Sequence, residues 1–181
     1  MPKAKTIGSD EIQAAVLRLA DAISARHSKA GTLLLLGIAN GGVELARRLA
    51  QRLNARTGTM DISFHRDDIG HHPIPKEFAP TQIPGDVQAA TIILVDDVLF
   101  SGRTVKAALD ELFDHGRPTK VELAVLVDRG GRRLPLAADY VGFDLVTAES
   151  EKVVVNLDPH DQHRDSIRIQ PASAETRQSA I

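Results

Sequence analysis

Thr91-Ile92-Ile93-Leu94-Val95-Asp96-Asp97-Val98-Leu99-Phe100-Ser101-Gly102-Arg103-Thr104 drives a run of β-branched and aliphatic residues straight into two adjacent carboxylates. A short apolar run of this kind reads as a strand buried on both faces, the habit of a parallel sheet. Residues 105–113 then continue at helical spacing. Acids at the carboxyl end of a buried strand are unfavourable there unless something uses them. The Ser101-Gly102-Arg103-Thr104 turn carries consecutive backbone N–H groups and two hydroxyls to a helix N-terminus, which is a place for a phosphate. Gly102 suits a backbone that approaches the phosphate closely or takes a positive φ. Acids for sugar hydroxyls beside a phosphate cradle imply a phosphorylated pentose, ribose 5-phosphate.

Outward from this segment, strands and helices alternate. Ser9 is placed to cap a first helix, with Asp10 and Glu11 in its first turn and Ile12, Val16, Leu19, Ala20 and Ile23 on one face. Residues 32–38 form an apolar strand. Ala39-Asn40-Gly41-Gly42 then turns into a helix that buries Val43, Leu45, Ala46, Leu49 and Leu53. Met60, Ile62 and Phe64 alternate, which predicts a strand over 59–65. Residues 67–90 hold four prolines, two glycines and no periodicity, the pattern of a lid or mobile loop. Further strands are expected over 121–127, 139–143, 152–157 and 166–169, and residues 170–181 read as a polar tail. The alternation predicts an α/β fold with a mostly parallel sheet flanked by helices and ligands at the carboxyl ends of its strands.

Composition narrows the classes. The chain of 181 residues is 43% hydrophobic but only 3% aromatic, so its interior is aliphatic. A net charge of −2 gives no global basic field for nucleic acid. The absence of cysteine removes disulfide frameworks and thiolate metal sites, and fits a cytoplasmic location. Residues 1–6 carry basic side chains without an apolar signal core, and no apolar run is long enough to cross a bilayer.

The segment 91–104 resembles the phosphoribosyl-pyrophosphate (PRPP) signature of the type I phosphoribosyltransferases. Leu123 to Gly130, the Arg132-Arg133-Leu134-Pro135-Leu136 run and Asp139-Tyr140-Val141-Gly142 resemble the PyrR family of pyrimidine-operon regulators, which double as uracil phosphoribosyltransferases. Gly116-Arg117-Pro118 and Asp61 with Arg66-Asp67-Asp68 extend the likeness over most of residues 9–169. The resemblance implies the type I fold with a small hood and a long mobile loop. It divides the chain into an N-terminal extension (1–8), a phosphoribosyltransferase domain (9–169) and a disordered tail (170–181). It implies transfer of ribose 5-phosphate from PRPP to uracil, giving UMP and pyrophosphate, with Mg²⁺ bound mainly through PRPP, in a homodimer or higher assembly. Asp96, Asp97 and Arg66 are the implied catalytic groups. PRPP would be held by Ala39, Asn40 and Gly41 at the pyrophosphate and by Val98, Leu99, Phe100, Ser101, Gly102, Arg103 and Thr104 around the phosphate. Val127, Asp128, Arg129 and Gly130 would read the base. An ion pair between Asp128 and Arg129 that stiffens the loop accounts for those two residues as well, and a solvated charge run accounts for Arg66-Asp67-Asp68.

The chain departs from the family at several places. Ala39-Asn40-Gly41 stands where Thr-Arg-Gly is usual, and asparagine does not replace the arginine's charge. Asp128-Arg129-Gly130-Gly131 ends in glycine where the family has histidine. Gly142-Phe143-Asp144 and Thr147-Ala148 lack the usual lysine and serine. On the first helix Ala14, Leu17, Arg18 and Asp21 retain a single cation of the usual exposed set. Weak or absent binding to attenuator RNA is therefore expected. Alternatives are a nucleotide-sensing RNA regulator with little catalysis, or a transferase for a purine base. His65, His71 and His72 read as a polar loop rather than a metal site. Asp158, His160, Asp161, His163 and Asp165 read as an enlarged surface hairpin turn.

Overall fold

The computed structural model describes residues 6–27, 32–63 and 80–172. In chain order the elements are β1 (Thr6–Ile7), α1 (Ser9–His27), β2 (Leu33–Ile38), α2 (Gly41–Leu53), β3 (Arg56–Met60), β4 (Thr91–Leu99), α3 (Arg103–Asp114), β5 (Lys120–Asp128), β6 (Tyr140–Asp144), β7 (Glu151–Asn156) and β8 (Ser166–Pro171). The apolar strands pair in parallel in the order β3-β2-β4-β5-β6, and a second, antiparallel sheet runs β1-β8-β7. The expected parallel sheet and small hood are both present. No described helix is long and apolar enough to cross a membrane.

Alternate side chains of the central strands feed two cores. Leu35, Ile93 and Val95 pack with α1 and α2 on one face, while Leu34, Leu36, Ile92 and Leu94 pack with α3 on the other. The chain leaves β2 for an outer strand through α2 and leaves β4 for the opposite side through α3. The carboxyl ends of β2 and β4 therefore flank the point where the winding reverses, the place where open α/β sheets take their ligands.

Several boundaries differ from those the sequence predicts. Ser9 lies inside α1. The Gly8 carbonyl accepts from Ile12 N–H (3.1 Å) and the Glu11 side chain accepts from Gly8 N–H (3.3 Å). β3, expected over 59–65, runs Arg56–Met60 as an edge strand registered Leu34↔Arg56 to Ile38↔Met60, and of the expected remainder residues 64 and 65 lie outside the described residues. Its outer position tolerates the polar Arg56, Thr57 and Thr59 that hide it from a pattern search. Within the N-terminal extension Thr6–Ile7 pairs with β8, and β8 runs to Pro171, past the strand end expected at 169. The irregular segment is fixed from residue 80 onward by reciprocal bonds between Thr59 and Gln82 (2.9 and 2.8 Å). The lid expected over its earlier part, with Arg66, Asp67, Asp68, His71 and His72, lies outside the described residues, as does His65.

Two charged clasps brace this frame. In the first, Arg48 is 4% exposed and pairs with Glu44 (2.6 Å) and Asp165 (2.5 Å), while its Nη2 donates to the Asp158 carbonyl (2.8 Å). The 158–165 turn does join two strands, but Asp165 is buried against α2 and is not a surface group. In the second, Glu122 at the entry end of β5 is 2% exposed and meets Lys120 (2.5 Å), His27 (2.6 Å) and the Tyr140 hydroxyl (2.7 Å). Burial alone would raise its pKa. The Lys120, Tyr140 and His27 contacts outweigh that and hold the group at about 2, against an ordinary 4.5.

A depressed native pKa means that the ionised group adds stability above the unfolded carboxylate's pKa. That contribution is lost as pH falls from 4.5 through about 2. Glu122→Gln is expected to lower neutral-pH stability by about 3 kcal/mol, as a broken buried pair does. It should also flatten the acid limb of the denaturation midpoint plotted against pH. An acid limb identical to the parent's would contradict the clasp.

Candidate active site

β4 keeps its pairing to β5 through Leu99, whereas its pairing to β2 ends at Val95. Asp96 and Asp97 thus lie within the strand, at the place where one neighbour has turned away. The burial alternation slips there, for Val95 and Val98 both pack on the α2 side. The acids also take over part of the backbone's hydrogen bonding. Asp96 Oδ1 accepts from Asp97 N–H (2.9 Å), and Asp97 Oδ1 accepts from Val98 N–H (2.7 Å).

Asp96 is 5% exposed. Burial raises its pKa well above the usual carboxylate range, and the neighbouring Asp97 charge raises it further. Burial also raises Asp97, opposed by hydrogen bonds from Asp96 and the backbone and by the positive field of Lys152. The two carboxylates titrate as a pair, and burial pushes both toward the protonated form.

The first of the two expected loops packs against Asp97, and the second follows β4 along the chain. The Ala39–Asn40 peptide bond is cis, Ala39 N–H donates to the Met60 carbonyl (2.9 Å), and Asn40 caps α2 without a side-chain bond. A Cβ on Gly41 would stand 2.5 Å from Asp97 Oδ1, so the chain passes the carboxylate at a distance only glycine permits. On the other side Gly102 takes the expected positive φ of 93° at the start of α3. Ser101 Oγ accepts from Arg103 N–H (3.3 Å), and Thr104 lies exposed in the first turn. Leu99 and Val127, by contrast, are 1% and 0% exposed, and their side chains belong to the core rather than to a ligand. Val98 is likewise packed against the core. Any part these residues play runs through the backbone.

Asp128 and Arg129 do not pair with each other. Asp128 is bound by Arg132 through one oxygen and accepts from Gly130 N–H (2.9 Å) through the other. Arg129 stacks over the Phe100 ring, 4.0 Å from its centroid, and donates to the Ala148 carbonyl (3.1 Å). Arg132, which the sequence offered only as part of a family pattern, also donates to the carbonyls of Phe100 (2.7 Å) and Leu136 (3.1 Å). Its proximity to the end of β4 arises from parallel pairing of β4 with β5, a contact no local motif encodes.

The donor set suits a hard cation only in part. Asp96 and Asp97 offer carboxylate oxygens, yet among the described residues no three metal-binding side chains gather. A Mg²⁺ ion here would draw most of its ligands from substrate phosphates and water.

A family model for the phosphoribosyl transferase domain matches residues 8–162, and the chain belongs to that family. Solved structures agree on the fold. The hypoxanthine phosphoribosyltransferase of Trypanosoma cruzi superposes with a TM-score of 0.66 at 19% identity, over 91% of this chain and 95% of that one. A hypoxanthine-guanine phosphoribosyltransferase of Bacillus anthracis gives 0.63 at 20% identity, over 78% and 84%. Within the family the chain is of the PyrR kind. It is 48% identical to the bifunctional protein PyrR of Deinococcus deserti over 169 residues, 88% of this chain and 91% of that protein. The Streptomyces coelicolor PyrR is 49% identical over 164 residues, covering 87% and 84%.

The raised pKa of Asp96 carries a stability consequence. A carboxyl that binds its proton more tightly when folded destabilises the fold once pH rises above the unfolded pKa. Asp96→Asn, which keeps the oxygen that accepts from Asp97 N–H, should therefore raise the thermal midpoint near neutral pH while impairing turnover. A lower midpoint would show that the charge is compensated in the native state.

Proposed function

We propose that this protein transfers the 5-phosphoribosyl group of PRPP to N1 of uracil in the cytoplasm. The C1–O bond to pyrophosphate breaks, the N1–C1 bond forms, the N1 proton is lost, and UMP and pyrophosphate leave. The observation that carries this reading is the Asp96–Asp97 pair at the end of β4, with the Gly41 turn packed against Asp97 and the chain running on directly into the 101–104 turn at the start of α3. One acid pair can then face the ribose while an anion occupies the turn on either side.

As the C1–O bond lengthens, positive charge develops on the ribose ring. Fixed carboxylates in a water-poor crevice stabilise it more than solvent would. Asp96 and Asp97 take that role and hold the ribose hydroxyls. The N–H groups of residues 101–104 and the hydroxyls of Ser101 and Thr104 take the 5-phosphate at the positive end of α3. The turn 39–41 and the N-terminus of α2 take the pyrophosphate. Mg²⁺, when bound, supplies charge for the leaving group.

Since the Asp128 carboxylate is occupied by Arg132 and Gly130, and the Arg129 N–H by the Leu99 carbonyl, base reading falls to the backbone carbonyls of residues 128–130, each with a second lone pair to offer. A polar backbone edge of that kind rejects bases that leave it unpaired. Arg66, which lies outside the described residues, remains a proposed cation on the family likeness alone. The homo-oligomer rests on the family likeness.

A regulatory RNA role is the weaker part of the same reading. The α1 positions Ala14, Leu17, Arg18 and Asp21 are all exposed, and the Arg18 guanidinium donates to the Gly142 carbonyl (3.2 Å). With one tethered cation, this face offers little of the phosphate contact that drives RNA affinity.

Incubation with PRPP, Mg²⁺ and uracil should yield UMP, and no UMP above a PRPP-only blank would overturn the proposal. Competition among uracil, hypoxanthine, guanine and adenine decides the base, and preferential use of a purine would overturn the uracil assignment. Asp97→Asn should lower kcat by about 10²–10³-fold, the scale of one preorganised electrostatic contact. Unchanged turnover would remove Asp97 from the mechanism.

A further inference from the structure

The phosphate turn is held from behind by the segment that follows β5. Leu99 C=O accepts from Arg129 N–H (3.1 Å), and Phe100 C=O from Arg132 Nη1 (2.7 Å). Ser101 C=O accepts from the N–H groups of Arg133 (3.0 Å) and Leu134 (3.2 Å). Three successive carbonyls of the turn are thus committed to the base segment. The N–H groups of Ser101 and Gly102 have no partner among the described residues.

The side chains lock the same junction. The Phe100 ring lies beneath the Arg129 guanidinium at 4.0 Å, and a Cβ on Gly131 would stand 2.5 Å from Phe100 Cε2. Arg129 is only 7% exposed, its Nη2 is spent on the Ala148 carbonyl, and its Nε is buried without a partner. A guanidinium so enclosed is poorly placed to read a base. It is well placed to fix how far the base segment stands from the phosphate turn.

We propose that Arg129 and Phe100 form a positioning pair whose stack sets the separation between the base-binding and phosphate-binding halves of the site. This deepens the functional reading above and rests on it. A nucleotide has a fixed span from its base to its 5-phosphate. A small error in the spacing of the two halves therefore weakens any ligand that must touch both. A ligand that touches only the phosphate half is spared.

The test is calorimetric titration of UMP and of ribose 5-phosphate into the parent protein, Phe100→Leu, Phe100→Tyr, Arg129→Lys and the Phe100→Leu/Arg129→Lys double variant. Thermal midpoints are recorded for each. Loss of a desolvated cation–ring contact predicts UMP weakened by about tenfold in Phe100→Leu and in Arg129→Lys. Ribose 5-phosphate should change by less than about twofold, Phe100→Tyr should match the parent, and the double variant should be no weaker than the weaker single one.

Equal weakening of both ligands would mean that the stack merely shapes the phosphate turn, and would overturn the proposal. So would UMP affinity unchanged in Phe100→Leu and Arg129→Lys, or Phe100→Tyr failing as Phe100→Leu does. If a variant unfolds, the remaining single variants still decide between these outcomes. Failure of the parent to bind either ligand would instead overturn the functional reading beneath the proposal.

Discussion

Burying adjacent carboxylates at the end of β4 is the constraint on which the rest of the structure depends. Asp96 and Asp97 repel each other where water is scarce, and both are pushed toward the protonated form. The fold accepts this at the reversal point of the sheet, where β2 turns away and leaves room for a ligand. The N-termini of α2 and α3 open beside the same point, and each favours an anion. The proposed site, with acids at its centre and an anion at the turn on either side, depends on where one strand stops pairing.

The opposite end of the sheet treats an acid in the reverse manner. Glu122 is as buried as Asp96, but Lys120, His27 and Tyr140 surround it and hold its pKa at about 2. Arg48 and Asp165 likewise satisfy each other while fixing the hood turn to α2. Acids that serve the fold are given cations and donors. The acids that face the crevice lack a described ion-pair partner, and that unsatisfied state is what a cationic ribose would relieve.

The segment 91–104 was readable because its chemistry is local: apolar run, acids, glycine turn and helix follow one another along the chain. The α1 face was readable for the same reason, since Ile12, Val16, Leu19, Ala20 and Ile23 are all buried. The features that escaped are made by distant partners. β3 is an edge strand whose polar residues mask its pairing, and Asp165 turns inward only because Arg48 awaits it on another helix. The roles of Arg129 and Arg132 depend on strand pairing that carries residues 128–134 behind the phosphate turn. From sequence alone Asp128 and Arg129 make a natural ion pair, and the fold assigns each a different partner.

The most direct test is a crystal structure of the protein with UMP bound. The account predicts the 5-phosphate on the N–H groups of residues 101–104 and the ribose hydroxyls on Asp96 and Asp97, with the uracil edge against residues 128–130. A nucleotide whose phosphate lies elsewhere, or whose ribose makes no contact with either acid, would contradict it.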